Sequence, residues 1–335
     1  MAYPALKRYS YFGQFGTLIG FIGVGIIVAA IIQAIPILLN PELSNTLIGA
    51  SKEEIMKKLL VPENATMLRI LQFLSTLFMF FLPPVFYAMV CHKKTFTHLG
   101  FSKPVNWQQL YFVVLIMFAC LPLVSLLGQF TEALPFSEAT MNKFKLAEKE
   151  YEQQIEAIGR MNNFSDYLLS LFMIAILPSI FEETFFRGGL QNLFSRWFKA
   201  PIVAIVITSL IFSAVHFSYI GFLSRVVLGM VLGWMYYRTG NLWLSIIGHV
   251  VNNGVGMTVL YLMKLNNPGF KMSDAGGDFP VWVGIISTAF LVLLLFRFEK
   301  INKHQKDKPG EEELMVVENS SNPSWLNEQP NNQTQ

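Results

Sequence analysis

Three clusters of ionisable and amide side chains interrupt otherwise apolar stretches of this sequence. They are Phe181-Glu182-Glu183-Thr184-Phe185-Phe186-Arg187, Phe212-Ser213-Ala214-Val215-His216 and His249-Val250-Val251-Asn252-Asn253. Carboxylates, imidazoles and carboxamides are the groups that activate a water and stabilise an oxyanion. Their spacing assigns different work to each. Glu183 and Arg187 stand four apart, so on a helix they are stacked neighbours and can pair. Glu182 points about 100° away from Glu183. One carboxylate can therefore hold Arg187 while the other faces a cavity. His249 and Asn253 share a helix face, as do Phe212 and His216.

Two hydrolytic routes follow, and the residues leave both open. In one, Glu182 and His216 act as general bases on a water, and His249 with Asn253 donates hydrogen bonds to the developing oxyanion. In the other, Glu182, His216 and His249 hold a zinc ion that acidifies the water. There is no HExxH and no serine or cysteine in a recognisable nucleophile motif, so a covalent route is disfavoured. Cys91 and Cys120 form neither a disulfide framework nor a cysteine-type zinc site. The remaining histidines, His92, His98 and His304, fall in loops or the tail and carry no such chemistry.

The elements that must position these groups are membrane helices. Hydrophobic residues make up 53% of the 335 and charged residues only 14%, against about 25% charged in soluble domains. Runs of about 20 apolar residues read as spans, and helix is the only open-ended spanning structure that pairs its own backbone. The candidates are 15–39, 67–90, 109–129, 165–187, 202–219, 222–237, 242–263 and 281–297. The predicted fold is therefore an all-α polytopic membrane bundle of about eight spans. Pro36, Pro83, Pro84 and Pro178 are expected to kink their helices. No small-residue cleavage site ends the first apolar run, so it is read as a retained span.

Lys7, Arg8, Lys93, Lys94, Lys103, Arg187, Arg196, Lys199, Arg238 and Arg297 fall in alternate loops. Both termini are then expected on the cytoplasmic side, with Arg225 an exception. The expected location is a bacterial plasma membrane. The net charge of +3 gives no case for nucleic acid. The charged stretch 137–163 reads either as an amphipathic helix on the membrane surface or as a solvated connector. The polar end, 304–335, reads as a disordered cytoplasmic tail. The chain thus divides into N-terminal spans with the connector (1–164), a core (165–263), a last span (264–303) and the tail.

Taken together, Glu182-Glu183-x-x-x-Arg187, Phe212-x-x-x-His216 and His249-x-x-x-Asn253 resemble the CPBP family in order and separation. This is the CAAX protease and bacteriocin-processing (Abi) group, related to type II CAAX prenyl endopeptidases. The resemblance covers 165–263. It implies an eight-helix intramembrane endopeptidase in which Glu182 and His216 activate the water. His249 and Asn253 would form the oxyanion site, and Glu183, Arg187 and Phe212 would support it. The group is often labelled metalloprotease, although a metal-free glutamate mechanism fits these residues equally well. The substrate is then a peptide or membrane protein within the lipid bilayer.

A rival from another class is a transporter or proton relay built on the same buried Glu and His residues. Its mark would be paired interrupted helices in two halves, which the sequence lacks. A non-catalytic partner-binding protein would need none of the three motifs. The span limits raise one geometric difficulty. If span four ends at Arg187, Glu182 and His216 lie at opposite membrane faces and cannot share a water. The apolar recurrence of Leu190, Leu193, Phe194 and Trp197 predicts that this helix instead runs on toward Trp197, with Gly188-Gly189 packed closely against another helix.

Overall fold

A computed structural model describes residues 9–39, 51–92, 94–267, 270 and 279–306, and among them every regular element is helical. The helices are α1 (Tyr11–Leu39), α2 (Lys52–Leu59), α3 (Ala65–Cys91), α4 (Thr95–Leu99), α5 (Trp107–Glu132) and α6 (Glu138–Ile158). They continue as α7 (Phe164–Phe198), α8 (Pro201–Ala214), α9 (Phe222–Thr239), α10 (Leu242–Asn266) and α11 (Val281–Lys306). Six of them, α1, α3, α5, α7, α10 and α11, are long and apolar enough to cross a membrane. The protein is a polytopic helical membrane bundle.

The fifth expected span differs from the reading of the sequence, while the sixth, expected at 222–237, forms α9 but is not among the six long apolar helices. Helix α8 has 14 residues, about 21 Å at 1.5 Å each, short of a bilayer core of about 30 Å. It ends at Ala214, before the break expected at Ser218. Backbone bonds there shift to a tighter pattern, His216 N donating to Ser213 O at 3.3 Å and Phe217 N to Ala214 O at 3.2 Å. Ser213 Oγ then donates to Phe222 O at 2.7 Å and closes the turn into α9. Apolar composition continues through this turn, which is why a hydropathy reading ran the span past it.

Span four also differs from its limits of 165–187. Helix α7 continues unbroken to Phe198. Gly188 and Gly189 lie inside it, where a Cβ would come within 3.0 Å of Leu99 O and of Pro84 Cβ respectively. The two glycines cost helix stability but let α7 approach α3 and α4 closely.

The expected distortions at Pro83, Pro84 and Pro178 take a specific form, whereas Pro36 lies within the continuous α-helix of α1. Leu77–Phe81 just precedes Pro83-Pro84, Leu171–Ile176 just precedes Pro178, and both stretches are π-helical. A proline supplies no N–H and its ring crowds the carbonyl four residues back; a wider turn absorbs both problems. The first wide turn meets α1, where a Cβ on Gly25 would lie 2.2 Å from Phe78 O.

Two apolar clusters hold the bundle. One joins α5, α9, α10 and α11 through residues such as Val113, Ile116, Leu232, Leu244 and Phe298. The other joins α1, α3, α7 and α8 through Leu18, Tyr87, Phe186, Leu193 and Phe212. Polar ties span the first: Gln109 Nε2 donates to Asn302 Oδ1 at 2.6 Å, and Arg238 pairs with Glu299. Cys91 and Cys120 are free and buried. The connector forms α6, capped by Ser137. At the other end, α11 runs to Lys306, a little beyond the expected limit of 303. The rest of the expected tail, 307–335, lies outside the described residues.

His92 and His98, beyond the end of α3, stack with ring centroids 3.4 Å apart. Burial pushes His92 down to about 3, with Arg196 adding to the effect. Burial, then His92 and then Arg196, holds His98 well below its ordinary value. The unfolded chain takes up protons on these rings near pH 6.5 while the folded chain does not. Stability from the pair is thus complete above about pH 6.5 and is lost as pH falls below it. The thermal midpoint in detergent should drop between pH 7.5 and 5.0, and a His92→Gln/His98→Gln variant should show a flatter profile. An unchanged slope in that variant would assign the acid sensitivity elsewhere.

Candidate active site

The site forms where α7, the α8–α9 turn and α10 converge. Glu183 is fully buried and Arg187 nearly so. The i, i+4 spacing on α7 brings Arg187 Nη1 to 2.7 Å from Glu183 Oε1. The guanidinium also donates through Nη2 to Gly229 O at 3.0 Å and lies 5.0 Å over the Phe212 ring. One turn further along α7, Gln191 Nε2 donates to Gly233 O at 2.9 Å. Gly229 and Gly233 are four apart on α9, and a Cβ on either would crowd Ser209 or Gln191. This polar ladder from α7 to α9 escaped the sequence reading, although Gly229-x-x-x-Gly233 is a spacing that marks close helix contact in membranes.

His249, on α10, completes the buried set. Its Nδ1 lies 2.9 Å from Glu183 Oε1. A carboxylate held by Arg187 can only accept, so Nδ1 carries the hydrogen and Nε2 is directed elsewhere. That direction is Glu182: His249 Nε2 and Glu182 Oε2 are 3.9 Å apart. His216 mirrors it from the turn after α8. Its Nδ1 contacts Phe212 O at 2.7 Å, and a carbonyl can only accept, so Nε2 again is the free nitrogen. It too lies 3.9 Å from Glu182 Oε2. Phe212 packs edge-on against both imidazoles, at 4.9 Å and 5.8 Å between centroids.

Separations of 3.9 Å are too long for direct hydrogen bonds but suit a water bonded to both partners at about 2.8 Å. Glu182 and His216 keep some exposure, 13% and 19% of their side chains, whereas His249 keeps 4%. The extension of α7 past Arg187 is what places Glu182 in mid-helix and removes the difficulty of opposite membrane faces. Strain marks the same place: Phe217, next to His216, holds φ at +52°. That conformation is uncommon outside glycine and costs about 1–3 kcal/mol.

Asn253 stands one turn beyond His249. Its Oδ1 accepts from Asn252 Nδ2 at 3.1 Å, which leaves its own amide hydrogens to donate. That side-chain hydrogen bond is to Asn252 and not to Glu182 or His216. A zinc ion tests differently. Bonds of about 2.1 Å at tetrahedral angles put ligand atoms about 3.4 Å apart. Both Glu182–His edges are 3.9 Å, and among the described residues no group of three or more His, Cys, Asp or Glu is placed to share an ion. Both edges are thus longer than a tetrahedral zinc site would set them.

Comparison with known proteins covers the segment that carries these helices. Residues 164–255 match the type II CAAX prenyl endopeptidase Rce1-like family. The Rce1-like segment contains Glu182, Glu183, Arg187, Phe212, His216, His249 and Asn253, and agrees with the resemblance read from the three motifs. Relatives include an uncharacterized 24.3 kDa protein of Escherichia coli, 34% identical over 96 residues that make up 28% of this chain and 44% of that protein. Another is the uncharacterized protein YpbD of Bacillus subtilis (strain 168), 32% identical over 89 residues, 25% of this chain and 42% of that one. The chain thus spans less than half the length of the curated relatives it matches. No solved structure matches it.

Proposed function

We propose that this protein is an intramembrane endopeptidase that hydrolyses a peptide bond of a peptide or membrane-protein substrate with a water activated by Glu182. The observation that carries this reading is the Glu182 carboxylate at 3.9 Å from the free Nε2 of both His216 and His249. Glu182 accepts one proton of the water as it attacks the substrate carbonyl, while the free Nε2 of His216 accepts a hydrogen bond from the other and supports Glu182 as base. The oxyanion is met by His249 and Asn253. With Nδ1 already carrying a hydrogen, His249 can donate from Nε2 only as the doubly protonated ring. Glu183 faces Nδ1 and offsets that charge, as a carboxylate does behind a catalytic imidazole. Arg187 fixes Glu183 in turn. The proton on Glu182 then passes to the leaving amine. The reading is metal-free, uses both termini on the cytoplasmic side, and favours a bacterial plasma membrane.

The test is incubation of the purified protein, in lipid nanodiscs, with a peptide library in water enriched in oxygen-18. Products with the label in the new carboxyl group, formed equally with and without 1,10-phenanthroline, are expected. Label-free products, or activity that a chelator abolishes and zinc restores, would overturn the mechanism. Proton-coupled flux in liposomes without peptide cleavage would favour the relay reading instead.

A further inference from the structure

The turn that carries His216 is covered by α6. Ser218 donates to Glu148, Phe144 stacks on Tyr219 with centroids 4.6 Å apart, and the Arg225 guanidinium lies 5.1 Å over the Tyr151 ring. Tyr151 lies within electrostatic reach of Glu182, and Arg225 within reach of His216. This second cluster therefore adjoins the catalytic one.

Arg225 differs from the other arginines packed into the bundle. Arg187 has Glu183 and a carbonyl, Arg238 has Glu299, Arg69 has the carbonyls of Ile158 and Arg160, and Arg196 has Asn192, Gln14 and Tyr87. Arg225 has Tyr151, through the face of its ring and a weak side-chain hydrogen bond. Its Nη1 is buried without a hydrogen-bond partner; Arg187 Nε is too, but that guanidinium has the Glu183 carboxylate beside it. A guanidinium drawn out of water with an open N–H is costly in a membrane protein, and the missing partner is an acceptor.

We propose that Arg225 is a specificity-determining residue that binds a carboxylate of the substrate, with Tyr151 covering it until the substrate displaces that ring. The planar guanidinium fork matches a carboxylate with two parallel N–H···O bonds. The carboxylate has two sources, the free C-terminus of a peptide or an Asp or Glu side chain near the cleaved bond. The proposal rests on the peptidase reading for what the bound carboxylate belongs to.

The test separates the two readings by measuring binding without cleavage. Full-length protein carrying Glu182→Gln, in nanodiscs, is equilibrated with labelled octapeptide pools of three kinds. One has a free C-terminal acid, one a C-terminal amide with an internal Glu, and one an amide with no acidic residue. One acid-bearing pool should bind at least about tenfold better than the neutral pool, the scale of a lost charge-assisted hydrogen bond. Which acid-bearing pool binds names the source. Arg225→Gln should erase the advantage, and Arg225→Lys, which keeps the charge but not the fork, should retain part of it. Equal binding of all pools, or full discrimination surviving in a folded Arg225→Gln or Arg225→Lys protein, would overturn the proposal. Discrimination without any cleavage by the unsubstituted protein would overturn the peptidase reading and leave a carboxylate-binding site.

Discussion

Glu182→Gln should lower peptide cleavage by about 10³-fold or more while leaving the thermal midpoint near that of the unsubstituted protein. General acid–base groups contribute about 10²–10⁴-fold, and Glu182 is the group at which both imidazoles converge. Its removal leaves no buried charge without a partner, since Glu182 lies outside the Glu183–Arg187 pair. His216→Ala and His249→Ala should be similarly inactive. The double variant Glu182→Gln/His216→Ala should be scarcely worse than either single one, because groups acting as a unit fail together. Cleavage should be followed by mass spectrometry under single-turnover conditions. Unsubstituted rates in any of the three would remove that residue from the mechanism, and fully additive losses would mean that the two do not share a water.

Arg187→Ala should be the most destabilising single change at the site. Breaking a buried pair by removing one partner costs about 3–5 kcal/mol, because the remaining charge is left without compensation. Here the remaining group is Glu183, whose Oε1 serves both Arg187 and His249 and whose Oε2 is buried without a hydrogen-bond partner. The change also frees Gly229 O and uncovers Phe212. Activity should fall with stability, since His249 loses the carboxylate arrangement that orients it. Arg187→Lys should recover part of the stability but not the bond from Nη2. Replacing both partners, by Glu183→Met with Arg187→Met, should damage stability less than Arg187→Ala alone while still abolishing cleavage. Equilibrium unfolding in mild detergent would measure this. An Arg187→Ala protein as stable as the parent would assign the arginine to substrate contact instead.

Much of the site was legible because it depends on two periodicities. The spacing of Glu183 and Arg187 predicted a helical pair, and the 100° between Glu182 and Glu183 predicted two environments for adjacent carboxylates. The recurrence from Leu190 to Trp197 predicted that α7 would pass Arg187, without which Glu182 and His216 could not meet. What was not legible depends on contacts between distant parts of the chain. Nothing in the apolar run of 202–219 signals that the helix stops at Ala214, because the turn is closed by Ser213 and its neighbours and not by a glycine or proline. The charged residues of 137–163 give a helix but not its destination, the turn beside His216. Pro178 announces a distortion of α7 but not its form. The glycine spacing at 229 and 233 was present in the sequence and unread.

The wide turns of α7, which include a second π-helical stretch at Thr184–Gln191, bear on how such a chain can change over generations. A π turn is an α-helix with one residue too many, so dropping one residue from Thr184–Gln191 would restore ordinary helical backbone bonding. Everything beyond the gap would then be turned by about 100° against everything before it. Gln191 would leave Gly233, Leu193 would swing out of the core, and the carboxylates would no longer keep step with the face that packs on α9. Substitutions within this stretch are read one at a time, but its length is read as a whole. Related chains should therefore differ here in letters and keep the count, with insertions and deletions confined to the loops on either side of the helix.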